Sequence, residues 1–530
     1  MTETVVQKLK IAGLLGVEGH HGSMDKAIRL DVEQRLKNGY LRCVVSSSSL
    51  EMGIDIGSVD LVIQVGSPGS IATALQRIGR AGHQVGGLPR ARFLPISPHD
   101  LLELVALQTG ILRGSMDILK FPENCLDVLA QFLIGLSIIK EWDIDDAYEL
   151  ASASWPYRNL PYDDYIEVLD LLEDERRIWI DWEDNKFGKR GFAQMIYYTN
   201  IGTIAPNNNY LVFTSDGTMV GQLSSSFVSS LRNGDVFLLG GSTYRVSSIR
   251  GTRVNVSPAT GYRPTIPSWT GEANSRTHEL SQEVLELLEE VATYARLEKD
   301  PMTIFTDILG LNRPVAHAVS GFFQEHVATT FQVPSNDLIL VEQVEAPLPT
   351  YIVTTCRGRA FNLALGHLFA GIATNDNIIV HELSFDENGF MIKLSHEVEI
   401  SLIPEIFKQG NSKDVLQKHM MESQLFAKRF REISSRSMLN PRRIGAEEVS
   451  PKQFQQRAEQ IMQKHRQMDD SVLIRETMNE ILHADLDMAQ LEIFINRMDS
   501  EDVRIVHRRV KMPSPLGMTL FMSSFEDLLS

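Results

Sequence analysis

Two stretches carry residues whose types and spacing can do chemistry. The first runs Ser46-Ser47-Ser48-Ser49-Leu50-Glu51-Met52-Gly53-Ile54-Asp55-Ile56-Gly57. It follows the apolar run Leu41–Val45, so its serines fall at a strand's carboxyl end, where open α/β sheets place ligands. Small hydroxyls and free backbone there can hold a phosphodiester. Gly53 permits close approach, and Asp55 offers a carboxylate to a sugar hydroxyl or a partner arginine. The second stretch is Gln76-Arg77-Ile78-Gly79-Arg80-Ala81-Gly82-His83. Arg77 and Arg80 share one face of a helix end, with glycines leaving room around them. Arginine is a permanently charged planar fork suited to a γ-phosphate, the role of an arginine finger. Surface salt bridges are the plainer use of two such arginines. His21 and His83 are equally open to a packing or a functional role.

The elements that must position these residues alternate in type. The pattern predicts helices over Asp25–Lys37 and Ser70–Arg80, and strands over Leu41–Ser46 and Leu61–Val65. That alternation argues for a parallel α/β sheet across residues 1–115. Residues 116–186 read as helices followed by the aromatic strand segment RRIWIDWED, an order that suits a winged helix. Residues 187–275 are strand-rich, with turn signals at Ser215-Asp216-Gly217, Asn233-Gly234-Asp235 and Arg250-Gly251-Thr252. A small β-barrel or sandwich follows from them. Residues 276–530 read as α+β, with helices over 280–298, 361–370, 415–437 and 452–466 and strands over Leu338–Val344 and Tyr351–Thr355.

With 530 residues the chain is too long for one core, and its net charge of −17 excludes nucleic-acid binding through bulk charge. Binding must be local. Residues 187–275 balance at +4, against −12 for 116–186 and −11 for 276–530. This basic segment also carries Tyr197, Tyr198, Tyr210, Tyr244, Tyr262 and Trp269. Arginines interleaved with aromatics can form a groove for single-stranded nucleic acid; solvated arginines around an aromatic core would give the same composition. Arg357, Arg359 and Asn362 form a second polar group, and Arg429, Arg431, Arg442 and Arg443 a third, each able to meet a phosphate or another domain. Cys43, Cys125 and Cys356 lie far apart, and the expectation is three buried thiols in a reducing cytoplasm. Neither a membrane-spanning run nor a signal-peptide pattern is present in the sequence, so a cytoplasmic protein without a membrane partner is expected.

SSLEMGID resembles motif V, QRIGRAGH motif VI, and His20-His21-Gly22-Ser23 the motif IVa region of the second motor domain of superfamily 2 helicases. The likeness extends over the whole chain to the Lhr, or large helicase-related, family. PENCLDVLAQ, EWDID and Trp155-Pro156-Tyr157-Arg158 resemble its winged helix. IGTIAPNNNYLVF, DGTMVGQL, RNGDVFLLGGSTYRV, PSWTGE, SQLFAKRFRE, NPRR and PSPLG resemble its C-terminal domain.

The resemblance implies a multidomain α/β plus α+β protein. Its parts are a partial RecA-like parallel α/β lobe (1–115), a winged helix (116–186), a β-rich, barrel-like part (187–275) and an α+β remainder (276–530). It implies an ATP-driven 3′-to-5′ translocase on single-stranded DNA in DNA repair, with RNA–DNA hybrid as a further substrate. Arg77 and Arg80 then complete an ATP site, and Gln76, Gly53 and Asp55 contact nucleotide. His21, Gly22, Ser23, Ser47 and Ser48 hold the strand, and Trp269 stacks on a base. The phosphate loop GxxxxGK[ST] and the acidic DExH motif occur nowhere in the 530 residues. Turnover of ATP with Mg²⁺ is therefore expected to need a first RecA-like lobe, on a larger polypeptide or a separate subunit. The alternative expectation is a non-catalytic nucleic-acid-binding module or a relic.

Overall fold

The computed structural model describes every residue except 1, 23, 25, 52–58, 82–87, 204–209, 224–227, 229–230, 232, 240–241, 251–252, 260–274, 298, 301, 400–411, 469 and 530. In the first segment, Val17–His20 pairs in parallel with Cys43–Ser46, and Val62–Val65 in parallel with Ala91–Leu94. Helices Thr2–Ile11, Lys26–Lys37, Ile71–Ile78 and Pro98–Arg113 connect and follow them. The expected parallel α/β pattern is present as two separate ladders. Strands Val17–His20 and Ala91–Leu94 are additions to the sequence reading, because four residues containing Gly or Arg give little apolar signal.

Two of these helices start on a capping serine. The Ser70 hydroxyl accepts from the Thr73 amide, and the Ser97 hydroxyl from the Asp100 amide. These are N-caps, satisfying donors that the first turn leaves orphaned.

The next segment is a winged helix. Helices Leu126–Ile139, Ile144–Ser152 and Tyr162–Asp174 pack against a sheet in which Lys186–Lys189 lies between Trp142-Asp143 and Ile178–Asp181. Leu129, Ile134, Tyr165, Leu172 and Phe187 are fully enclosed. Beyond it, five strands form one sheet in the order 236–239, 242–250, 253–258, 210–214, 219–223. Its two outer strands do not pair with each other among the described residues, which gives a half-barrel sheet where a barrel or sandwich is expected. Arg253–Pro258 runs parallel to Tyr210–Thr214. The chain therefore crosses over instead of meandering, which turn residues alone do not reveal. Two of the three turn signals join paired strands. Asn233-Gly234-Asp235 does not: it precedes Val236–Leu239, whose hairpin partner is Ser242–Arg250.

The C-terminal region is built on a mixed sheet in the order 380–385, 389–394, 350–354, 338–344, 504–510. Leu338–Val344 is buried at every position and runs parallel to Arg504–Val510, which returns from far along the chain. Helices Arg359–Asn375, Ser412–Met421 and Gln424–Arg436 belong to its core. The single helix expected over 415–437 is broken because Ser423 caps a new one, its hydroxyl accepting from the Phe426 amide at 3.1 Å.

Two cores cross these segments. One joins the winged helix to the C-terminal sheet. The other joins Ile71, Ala74 and Leu102–Leu107 to helix His278–Arg296 and to Phe305, Phe323 and Leu516. Gly110 marks the close approach there: a Cβ would lie 3.1 Å from Glu283 Cγ and 3.2 Å from Ile71 Cδ1.

Buried Arg276 secures the second junction. Its guanidinium donates to Glu103 Oε2 (3.3 Å), Asn388 Oδ1 (3.2 Å), and the carbonyls of Cys356 (3.1 Å) and Glu387 (2.7 Å). Because Asn388 Oδ1 faces Arg276, its Nδ2 faces His99 and donates to Nδ1 at 2.7 Å. That leaves the His99 proton on Nε2, which donates to Thr519 Oγ1 at 3.0 Å. Burial, and then the charge of Arg276, lower the His99 pKa below its ordinary 6.5.

Two outcomes follow from this joint. Arg276→Met strands Glu103 and several carbonyls, and is expected to cost about 3–5 kcal/mol in a urea melt. A folded-state histidine pKa below the unfolded one means that the stabilisation is complete above 6.5 and fades as pH falls below it. Thermal melts of the wild type should lose stability as pH falls below about 6.5, and His99→Gln should flatten that part of the profile.

Candidate functional site

The parallel pairing of Val17–His20 with Cys43–Ser46 sets His20 opposite Ser46. Two motifs distant in sequence thus meet at adjacent strand ends. The Ser47 amide donates to the His20 carbonyl at 3.3 Å, and the Ser49 hydroxyl donates to the same oxygen at 2.9 Å. Ser48–Leu50 makes a single 3₁₀ turn. Ser47 and Ser48 are exposed beside half-buried His21 and exposed Gly22. Among the described residues, its chain neighbours aside, no heavy atom lies within 4 Å of where a Gly22 Cβ would sit. His21, Gly22, Ser47 and Ser48 therefore share an open, hydroxyl-lined shelf. Ser23, Gly53, Asp55, His83 and Trp269 lie outside the described residues.

Behind the shelf, His20 is 1% exposed and both its ring nitrogens are engaged: Nδ1 with Ser49 Oγ at 2.7 Å, Nε2 with Glu33 Oε1 at 2.9 Å. The sequence reading passed over His20 as a site residue in favour of His21. A histidine on a strand followed by a glutamate on the next helix is the signal that was available.

Arg77 and Arg80 occupy the last turn of Ile71–Ile78 and the residues just beyond it. Arg77 is held from two sides. Its Nε and Nη2 donate to Glu51 Oε2 at 3.1 and 2.7 Å, and Nη1 donates to Gln64 Oε1 at 2.9 Å. The Gln64 amide is oriented in turn, its Nε2 donating to the carbonyls of Val65 and Gly66. Glu51 belongs to the serine stretch, so this ion pair couples the two motifs directly. The sequence reading offered Asp55, which lies outside the described residues, to a sugar hydroxyl or a partner arginine, and did not single out Glu51 or Gln64. Spacing along the chain carries no signal that Glu51 and Arg77 converge. Arg80 is half-buried, with Nε donating to the Gln76 carbonyl at 3.4 Å, and Gln76 is exposed.

The helix carrying these arginines is anchored at its other end. Asp117 accepts from Ser70 Oγ at 2.9 Å, from the Ala72 amide at 2.6 Å and from Thr277 Oγ1 at 2.5 Å. A carboxylate at a helix N-terminus is favoured by unpaired amides and the helix dipole.

The other polar groups singled out in the sequence are mostly used internally. Arg429 is bidentate to Asp485 (2.7 and 2.6 Å) and pairs with Glu432, and Arg443 pairs with Glu448. Asn362 bonds Thr355 and the Asp386 carbonyl, while Arg359 binds the Phe385 carbonyl. Arg357 is buried, its Nη2 donating to the Asn336 carbonyl at 2.8 Å, and burial lowers its pKa to about 10. The three cysteines are free thiols. Cys356 is buried as expected, whereas Cys43 and Cys125 are half-buried.

Among the described residues no group of three or more His, Cys, Asp or Glu side chains is placed to hold a metal ion. Nor is any helix among them long and apolar enough to cross a membrane.

Three family models match the chain in order. They are a helicase conserved C-terminal domain over residues 1–84, a large helicase-related protein winged helix domain over 109–266, and a DEAD/H associated domain over 333–517. The ATP-dependent helicase Lhr-Core protein 2 of Thermococcus barophilus is 34% identical, across 97% of this chain and 61% of that protein. The ATP-dependent helicase Lhr-Core of Methanocaldococcus jannaschii is 33% identical, across 100% of this chain and 62% of its own length. The chain thus spans about three-fifths of the length of these relatives. The solved structure of Mycobacterium smegmatis helicase Lhr, bound to ssDNA and AMP-PNP, superposes with a TM-score of 0.78 at 26% identity, covering 98% of this chain and 64% of that one. From its shelf and arginine helix to its C-terminal sheet, the chain belongs to the Lhr family of helicases and corresponds to their C-terminal region.

Proposed function

We propose that this chain is the arginine-bearing half of an ATP-dependent, 3′-to-5′ DNA translocase of the Lhr type. The observation that carries the reading is the ion pair between Glu51 and Arg77. It ties the phosphate-contacting helix end to the strand-holding serines, so movement at one is felt at the other. In this reading Arg77 and Arg80 meet the γ-phosphate of ATP held by a first RecA-like lobe, beside Gln76, Gly53 and Asp55. Glu51 and Gln64 keep the Arg77 fork ordered until that phosphate arrives.

The shelf of His21, Gly22, Ser47 and Ser48 would hold single-stranded DNA, or one strand of an RNA–DNA hybrid, by its phosphates, and Ser23 is assigned to the same strand from its motif alone. Trp269 would stack on a base. Pairing guanidinium with phosphate across a cleft lowers the charge developing in phosphoryl transfer. Mg²⁺, when bound, would supply positive charge to the phosphates; the described side chains of this chain form no group of three or more placed to hold a metal ion, so its ligands would come from the first lobe. The domain division at 115, 186 and 275 is part of the same proposal, as is action in DNA repair.

The test is to join the chain to a lobe carrying GxxxxGK[ST] and DExH, and to measure ATP turnover with and without single-stranded DNA. DNA-stimulated turnover is expected, and Arg80→Ala should lower kcat by on the order of 10³-fold. DNA binding without any turnover would favour the non-catalytic module instead. Separately, Trp269→Ala should weaken strand binding by about 1–3 kcal/mol in a fluorescence titration while leaving the melting temperature unchanged. A fall in melting temperature would assign Trp269 to the core.

A further inference from the structure

Where the winged helix meets the C-terminal region, a cavity of about 370 Å³ opens to solvent. One wall is Arg177 and the segment Phe192–Ile196; the other comprises Leu439–Ile444 and the helix Pro451–Arg466. It shares no residue with the shelf or the arginine helix. Crevices between domains, apolar with a few convergent polar groups, are where small ligands bind.

Three features define what this cavity would take. First, Phe192 is 75% exposed at its mouth, with Met195 and Ile444 alongside. A large exposed ring beside apolar neighbours is a platform for another flat ring. Second, two arginines line the cavity, and neither is hydrogen-bonded to a carboxylate among the described residues. Arg177 donates to the carbonyls of Met438, Leu439 and Glu175 and to no carboxylate among the described residues. Exposed Arg457 on the opposite wall makes no ion pair among them. Third, Asn440 lines the cavity at 1% exposure. Its Nδ2 donates to the Phe454 carbonyl at 3.0 Å, while its Oδ1 accepts from nothing described. A buried acceptor without a donor is costly, and calls for one.

A flat ring, an adjacent anion and an N–H donor together describe one chemical class. We infer that this cavity receives an unpaired nucleobase, stacked on Phe192, with its neighbouring phosphate on Arg457 and a base N–H directed to Asn440. Every common base carries such an N–H, so the site is indifferent to sequence, as stacking sites are. An acidic peptide would satisfy the arginines but leave the Phe192 ring unused. The inference rests on the nucleic-acid reading above and adds to it a contact at the junction of winged helix and C-terminal region.

The test uses the full chain and two probes, fluorescein-labelled oligo(dT) and AMP, with Phe192→Ala, Phe192→Trp, Arg457→Glu and Arg457→Lys. Both sites are at exposed side chains, and unchanged melting temperatures establish that the four variants fold. Phe192→Ala and Arg457→Glu are each expected to weaken oligo(dT) binding about tenfold. Phe192→Trp and Arg457→Lys should restore it, and Arg457→Glu should reduce the salt dependence of binding by about one phosphate contact. If AMP binding falls in these variants while oligo(dT) binding does not, the pocket stands and its ligand is a free nucleotide. Unchanged binding of both probes overturns the pocket but leaves the strand reading intact. A wild-type chain that binds AMP through these residues but no oligonucleotide overturns the strand reading alone.

Discussion

Much of this structure depends on the burial of one guanidinium. Arg276 arrives at the start of helix His278–Arg296 and is enclosed where the N-terminal α/β lobe of this chain, that helix and the C-terminal sheet converge. A charge there is tolerated only because its donors are met, by Glu103 from the lobe, Asn388 and two carbonyls from the sheet side, and Ser281 from its own helix. Such a network has one geometry. It fixes the Asn388 amide, hence the His99 tautomer, and with them the angle at which helix Pro98–Arg113 meets the rest of the chain. The apolar packing of the second core would allow sliding; directional bonds do not.

The site inherits this constraint. Helix Ile71–Ile78 packs against Pro98–Arg113 through Ile71 and Ala74, and its N-terminus is bonded to Asp117 and, through the amide of Thr277, to the Gly69 carbonyl. Thr277 adjoins Arg276. The same short segment therefore holds both the domain joint and the helix that carries Arg77. From there Glu51 carries the connection to the strand-end serines. A chain of named contacts thus runs from the C-terminal sheet to the shelf, without crossing a mobile apolar layer.

A second charged knot closes the opposite junction. Arg436 on helix Gln424–Arg436 reaches Asp127 of the winged helix and Glu480, while Arg429 binds Asp485 and Glu480. Burial beside Asp127 and Glu480 raises the Glu476 pKa to about 8, so this knot holds its excess acid as a neutral carboxyl near neutrality. In sequence these arginines look like a solvated basic cluster in an acidic segment. In the fold they pair with buried Asp127 and half-buried Glu480 and Asp485, and that difference is invisible to local charge counting.

What the sequence determined by itself was local and periodic. The motifs around Ser46–Gly57 and Gln76–His83, the alternation of strand and helix in the first segment, the caps at Ser70 and Ser97, and the apolar run Leu338–Val344 all follow from residues within a turn or two of one another. The tertiary structure decided the rest, because the deciding contacts link residues tens to hundreds of positions apart. It chose Glu51 as the partner of Arg77. It set Arg253–Pro258 parallel to Tyr210–Thr214 in the β-rich sheet, and brought basic Arg504–Val510 beside Leu338–Val344. Charged side chains carry no periodic signature of their partners. Which carboxylate meets which arginine is set only when folding brings two distant segments into the same dry space, where an unpaired charge is too costly to keep.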